Sequence, residues 1–219
     1  MIKIHLFDMD DTLISNDCDV SWKSFTVRHG LAPESALQEA ADFFEDYKRG
    51  ELDLEKFTLF QLREFIGRTA AEMAELADAH FREFVLPTVR QSAIRQVREA
   101  KGSGAVTAII TSTNSVLARP VAEFFGVDEL HGTELEIGNG RFTGRVKDTY
   151  AAGQGKVEIA GRILSERGIS AADAAAYGDS INDLPLLSMV GHPRVVTPGA
   201  KLLEIARSRN WPVFDWAND

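Results

Sequence analysis

Apolar and polar positions follow two different rhythms along this chain. Residues 2–7, 105–111, 174–177 and 194–197 are short, almost continuous apolar runs, the pattern of strands buried on both faces. Residues 89–101, 115–125, 155–167 and 198–209 instead repeat apolar positions every three to four residues, the period of a helix with one buried face. Strands alternating with helices predict an α/β core: a Rossmann-like parallel sheet with helices on both faces. Gly102, Gly126 and Gly168 fall just after helical runs, where a C-terminal cap is expected. Asn139-Gly140 lies between alternating segments of 135–146 and predicts a hairpin. Pro212 restricts the final apolar stretch, 211–214, to an edge strand.

From about residue 20 to residue 86 the strand signal vanishes. Eight of the chain's 13 phenylalanines lie there (Phe25, Phe43, Phe44, Phe57, Phe60, Phe65, Phe81 and Phe84), at spacings of three and four that mark amphipathic helices. Gly30, Gly50 and Gly67 punctuate the run, so a bundle of about four helices is expected, its aromatics forming a core. The predicted organisation is therefore an α/β core of residues 1–16 and 88–219, interrupted after its first strand by a helical unit of residues 17–87.

Composition narrows the function. At 219 residues, 44% hydrophobic and 26% charged, the chain matches an ordinary globular protein. No apolar run approaches the 18 residues of a membrane span, and no secretory signal is read. The single Cys18 cannot form an internal disulfide, so a reducing cytoplasm is the expected location. A net charge of -9 argues against nucleic acid or an anionic membrane as partner. Most of that charge belongs to the helical unit, where residues 17–87 hold 15 acids and 8 bases.

Candidate chemistry gathers where the predicted strands end. Directly after the first strand come Asp8-Met9-Asp10-Asp11-Thr12. Residues i and i+2 of a strand point to one side, so Asp8 and Asp10 converge and would hold a hard cation; a solvated acidic turn is the plain alternative. After the second strand, Thr111-Ser112-Thr113-Asn114 lead into a helix N-terminus, an anion site. After the third comes Gly178-Asp179-Ser180-Ile181-Asn182-Asp183. Lys156 opens a helix after two glycines, where its ammonium would reach a bound phosphate. Each is common alone; their coincidence at strand ends, where open parallel sheets bind ligands, is not.

FDMDDTL, ITST, Lys156 in GQGKV and YGDSINDLPLL together resemble the four ordered motifs of the haloacid dehalogenase superfamily. More narrowly the chain resembles its phosphoserine-phosphatase-like branch, whose helical cap follows the first motif. The resemblance implies a magnesium-dependent phosphatase acting on a small phosphorylated metabolite, as monomer or homodimer. Asp8 would be the nucleophile and Asp10 the general acid and base. Mg2+ would be held by Asp8, the Met9 carbonyl and Asp179, with Asp10 and Asp183 behind them. Thr111, Ser112, Thr113, Lys156 and Asn182 would hold phosphate, Asp183 also orienting Lys156, and Thr12 would fix the loop. A phosphomutase of the same fold and a receiver-type phospho-binding protein are the alternatives.

The resemblance breaks in the cap. Where phosphoserine phosphatases place a glutamate nine residues after the nucleophile, this chain has Asp17; where they carry an arginine for the substrate carboxylate, alignment on Gly50-Glu51-Leu52 leaves Gln61. A neutral amide cannot make a charged bidentate pair, and Arg63 lies two residues on, around the helix. An amine-bearing ester is therefore expected, phosphoserine-like or histidinol phosphate, with Asp17 either touching it or serving as a helix cap.

Overall fold

The computed structural model describes residues 1–49, 51, 53–148 and 150–217; the side chains of Phe44, Tyr47, Lys48 and Leu54 are also outside the description. Gly50, Leu52 and the Phe44 side chain, read above as turn and core, thus lie outside the described residues.

The chain runs β1 (Ile4–Phe7), α1 (Cys18–Arg28), α2 (Ser35–Arg49), α3 (Leu54–Leu62), α4 (Ala70–His80), α5 (Gln91–Gly102), β2 (Val106–Asn114), α6 (Ser115–Phe125), β3 (Glu129–Thr133), β4 (Leu135–Gly138), β5 (Arg141–Val146), α7 (Gln154–Arg167), β6 (Ala174–Gly178), α8 (Leu184–Met189), β7 (His192–Val196), α9 (Ala200–Ser208) and β8 (Val213–Phe214). Six strands form one parallel sheet in the order β3-β2-β1-β6-β7-β8. Chain order runs outward from β1 in one direction and from β6 in the other, so the topological switch lies between those two strands, where such sheets open a ligand crevice.

Strand alternation divides the core between the two faces. Phe7, Ile109, Ala175 and Tyr177 pack with α5 and α6, through Val97 and Val121 among others. Ile4, Leu6, Ala108, Ile110 and Ala176 pack with α7, α8 and α9, through Ile163, Leu186 and Leu202. Gly126 and Gly168 cap their helices in the left-handed region as expected; α5 differs, ending through Gly102 with Ser103 as its cap. The hairpin turns at Asn139 and Gly140, both at positive φ. The strand missed in the sequence is β3, a polar edge strand, Glu-Leu-His-Gly-Thr, with no continuous apolar run to mark it.

The helical unit is α1 to α4. Trp22, Phe25, Phe65, Met73 and Ala77 form its core, joined by Leu117 of α6 and by Leu135 and Phe142 of the hairpin. Trp22 packs against Phe25 at 5.4 Å between ring centres. The two passages between sheet and bundle run side by side: Ile14 bridges Val89, Ser15 N donates to Thr88 O at 2.8 Å and Arg90 N donates to Leu13 O at 3.1 Å. The bundle lies down on the sheet through the hairpin, since Gly67 N donates to Phe142 O and Phe142 N to Arg68 O, both at 2.9 Å. Among the described residues no helix is long and apolar enough to cross a membrane.

Candidate active site

The register of the sheet brings three strand ends together. Phe7 stands level with Ile109 on one side and Tyr177 on the other, so the residues following them emerge at one edge. Asp8 is the first residue beyond β1 and stays tied to the sheet, its N–H donating to Tyr177 O at 3.0 Å. Its carboxylate is buried and accepts from Lys156 Nζ at 2.5 Å; the same ammonium donates to Asp183 Oδ1 at 2.6 Å. Lys156 reaches this point because α7 begins at Gln154, after a Gly153 at positive φ that turns the chain inward. Asp183 approaches because position 178 has no side chain: a Cβ there would stand 2.5 Å from the Asp183 Cβ.

Carboxylate oxygens of Asp8, Asp179 and Asp183 lie within 4.8 Å of one another. Thr12 Oγ1 donates to Asp179 Oδ1 at 3.3 Å, tying the first loop to the third. Burial, followed by the repulsion of Asp183, pushes the Asp8 carboxyl up to about 7. Burial and then Asp8 and Asp183 push Asp179 to about 9. Burial alone would lower the Lys156 ammonium, but Asp183 and Asp8 outweigh it and hold it above its ordinary value. Three carboxylates against one ammonium leave the group short of positive charge, and an all-oxygen donor set suits a hard divalent ion such as Mg2+. The residues therefore fit the metal.

Asp10 has its own setting. Its Oδ1 accepts from Cys18 N at 2.8 Å; its Oδ2 accepts from Thr113 Oγ1 at 2.6 Å and Thr111 Oγ1 at 3.4 Å. Burial, then Asp17, raises its carboxyl to about 6. Thr111 and Thr113, expected against phosphate, thus hold Asp10 here. Ser112 between them faces a cavity under the helical unit, lined also by Asp19, Gln61, Leu62, Val146 and Tyr150.

The remaining sequence expectations fall into place less evenly. The Met9 carbonyl is not turned to the carboxylates; it closes the loop, accepting from Leu13 N at 2.8 Å and from Thr12 N and Ile14 N at 3.3 Å. The next carbonyl, that of Asp10, accepts no hydrogen bond among the described residues and is the better backbone donor for a cation. Asp11 takes φ 55° and is exposed. Asn182 sits exposed on the turn Ile181–Asp183. Asp17 is the N-cap of α1, its Oδ1 accepting from Asp19 N at 2.9 Å and Val20 N at 3.1 Å. Gln61 is buried in the cavity, whereas Arg63 pairs with Glu39 and Glu64 at 2.9 and 3.0 Å. Asp19 and Tyr150 were missed; only the side-chain directions that α1 and the approach to α7 impose could have found them.

A family profile for haloacid dehalogenase-like hydrolases matches residues 5–188. Over 222 residues the chain is 34% identical to a histidinol-phosphatase of Neisseria meningitidis serogroup C, covering 99% of this chain and 100% of that protein. A phosphoserine phosphatase of Mycobacterium tuberculosis is 28% identical over 214 residues, 96% of this chain and 70% of that one. A Bordetella pertussis protein of unknown function superposes with a TM-score of 0.90 at 34% identity, covering 99% and 100% of the two chains. A substrate-bound phosphoserine phosphatase superposes at 0.72 with 20% identity over 98% and 93%, a likeness of fold.

Proposed function

The chain belongs to the haloacid dehalogenase-like hydrolase family, and from that premise we propose that it is a Mg2+-dependent phosphatase of a small amine-bearing metabolite, working through an aspartyl-phosphate on Asp8. The observation that carries the reading is the Asp8 carboxylate, buried at a strand end and held 2.5 Å from an ammonium. That position keeps one oxygen oriented while the other attacks phosphorus in line. Asp10, whose raised carboxyl retains a proton closer to neutrality than a free aspartate, gives that proton to the leaving alkoxide. It then takes one from the water that attacks the acyl phosphate, releasing phosphate and restoring Asp8. Thr111, Thr113 and the Cys18 N–H fix Asp10 for both transfers.

Lys156, the Ser112 N–H and Asn182 would hold the phosphoryl oxygens as charge moves across them. Asp8, Asp179 and the Asp10 carbonyl would hold Mg2+, with Asp183 behind them keeping Lys156 in line. When bound, the ion neutralises phosphoryl charge and keeps Asp8 ionised despite its neighbours. We assign residues 17–87 to a cap whose approach excludes water and selects the leaving group; the paired passages at Ile14 and Val89 support a hinge there. The name of the Neisseria relative supports histidinol phosphate as a candidate substrate, beside phosphoserine-like esters.

The test is a phosphate-release screen over phosphorylated metabolites, with Mg2+ and with chelator, on wild type and Asp8→Asn. Hydrolysis that needs both the metal and Asp8 is expected. Equal rates for the two proteins on every ester would sink the reading.

A further inference from the structure

Beyond Ser112 the cavity under the helical unit takes no part in the phosphoryl chemistry, yet among Leu62, Leu135 and Val146 it gathers the polar groups Asp19, Gln61 and Tyr150. Among the described residues Asp19 is the charged one in its lining, and no lysine or arginine joins it there. Gln61 is 8% exposed, and its carbonyl Oε1 has no hydrogen-bond partner. A buried amide oxygen left unpaired is costly, and this one opens onto a cavity from which a donor could satisfy it. An amide can also turn its terminal group by half a rotation, so either its acceptor or its donor side can meet what enters. The Tyr150 phenol borders the same space, held protonated by burial and by Asp19 and Asp17.

The scaffold holds this arrangement in place. Asp17 commits its carboxylate to the first N–H groups of α1, which starts the helix there and leaves the next acid, Asp19, to line the cavity. One turn further along the same face, Lys23 is fully buried and donates to Phe60 O at 2.6 Å, Gln61 O at 3.4 Å and Glu64 Oε2 at 2.5 Å. Thus α1 and α3 are locked in the register that faces Asp19 and Gln61 into one cavity. Arg63 does not line the cavity: its Nη1 and Nε are held by Glu39 and Glu64 and its guanidinium lies over the Phe60 ring, with Nη2 buried and unpaired.

We propose that Asp19 and Gln61 form the subsite for a cationic nitrogen on the leaving group, so that the preferred substrates are phosphate esters of amino alcohols that carry no carboxylate. A protonated amine or imidazole donates to the Asp19 carboxylate and to the Gln61 carbonyl. A substrate carboxylate would face Asp19 with no cation in the lining, and like charges at short range repel. The assignment rests on the phosphatase reading, deepens it by separating the two candidate ester classes, and moves amine recognition from Asp17 to Asp19.

The experiment measures kcat/KM for histidinol phosphate, for a neutral ester of the same length with a hydroxyl in place of the nitrogen, and for phosphoserine. The proteins are wild type, Asp19→Asn, Gln61→Leu, Asp17→Asn and Asp8→Asn. Wild type should prefer the amine ester to both others. Asp19→Asn should lower the amine-to-neutral ratio about 50-fold, chiefly through KM, and Gln61→Leu about tenfold. Both esters are read on one preparation, so the folded fraction cancels from the ratio. An unchanged ratio in Asp19→Asn, a collapse in Asp17→Asn instead, or phosphoserine as the best substrate overturns the subsite alone. Wild type no faster than Asp8→Asn on all three esters takes the phosphatase reading down with it.

Discussion

Among the described residues two lysines are buried, one at the strand ends and one in the helical unit, and they make different use of the same ion pair. Lys156 touches Asp8 and Asp183 at 2.5 and 2.6 Å; Lys23 touches Glu64 at 2.5 Å. Burial and distance do not separate them. What surrounds them does. Around Lys156 the carboxylates outnumber the cation and come from separate strand ends, so the group still has carboxylate oxygens to offer a metal, and the ammonium a third N–H to offer a phosphate. Around Lys23 the one carboxylate in contact, Glu64, is already taken on both oxygens, by Lys23 and by Arg63, and the carbonyls of Phe60 and Gln61 take up the remaining donors. Burial lowers the Lys23 ammonium despite Glu64, whereas Lys156 is held above its ordinary value. A saturated pair is a strut; an unbalanced one is a site.

The sharpest way to break this contrast is kinetic. Asp8→Asn should reduce turnover at least ~10^4-fold, because it removes the nucleophile while keeping the side chain's size. Lys156→Met should lower kcat about 10^3-fold, the scale set by losing one preorganised charge at a reacting phosphate. Steady-state rates at saturating Mg2+ read both, and a Lys156→Met enzyme within tenfold of wild type would remove Lys156 from the chemistry. Lys23→Met should act on stability instead, costing about 2 kcal/mol because the buried Glu64 loses one of its two cationic partners, keeping Arg63, and the Phe60 carbonyl loses its donor. The double variant Lys23→Met with Glu64→Leu should regain most of that loss in urea unfolding. If Lys23→Met, fully folded, lost as much turnover as Lys156→Met, the two lysines would not differ as argued.

The strand ends were the legible half of this molecule. A strand has a fixed direction, so the apolar run before Asp8 already says at which edge its carboxylate emerges; Asp10, past the end of β1, does not follow the strand period into the Asp8, Asp179 and Asp183 group but is held by Thr111, Thr113 and the Cys18 N–H. The same logic reaches Thr111, Asp179 and Asp183 once the strands are known to be parallel neighbours. Backbone direction is not written that way. Nothing in the letters says that the Met9 carbonyl turns into the loop while that of Asp10 accepts no hydrogen bond among the described residues. In the helical unit the difficulty is phase. Asp17 and Asp19 differ by about 200° around a helix, so a shift in where α1 begins exchanges which one caps and which one lines the cavity. The cap at Asp17 decides it, and a cap is a matter of two hydrogen bonds. The edge strand β3 was lost for another reason: with a half-buried polar sequence, its place follows from pairing with β2 alone.

The smallest effect expected comes from pH, where the two halves pull stability in opposite directions. In the metal-free protein Asp8 and Asp179 have carboxyls raised to about 7 and 9; their contribution is fully present below the unfolded value near 4 and is lost as pH rises through those figures. In the helical unit His80 is fully buried against Trp22, with Nε2 2.9 Å from Ser21 Oγ, and burial lowers its imidazole to about 4. Its unfolded value is 6.5, so between pH 6.5 and 4 the unfolded chain binds a proton that the folded chain refuses. Stability must therefore fall as the solution is acidified across that window, by about 2 kcal/mol at pH 5 from this residue. His80→Gln keeps a hydrogen-bonding group beside Ser21 and cannot titrate. Subtracting its urea-unfolding free energies from those of wild type cancels the carboxylates and isolates the histidine. The difference should be flat above pH 7 and change by about 2 kcal/mol by pH 5; a difference that stays flat to pH 4.5 would mean that His80 is protonated as readily in the fold as out of it.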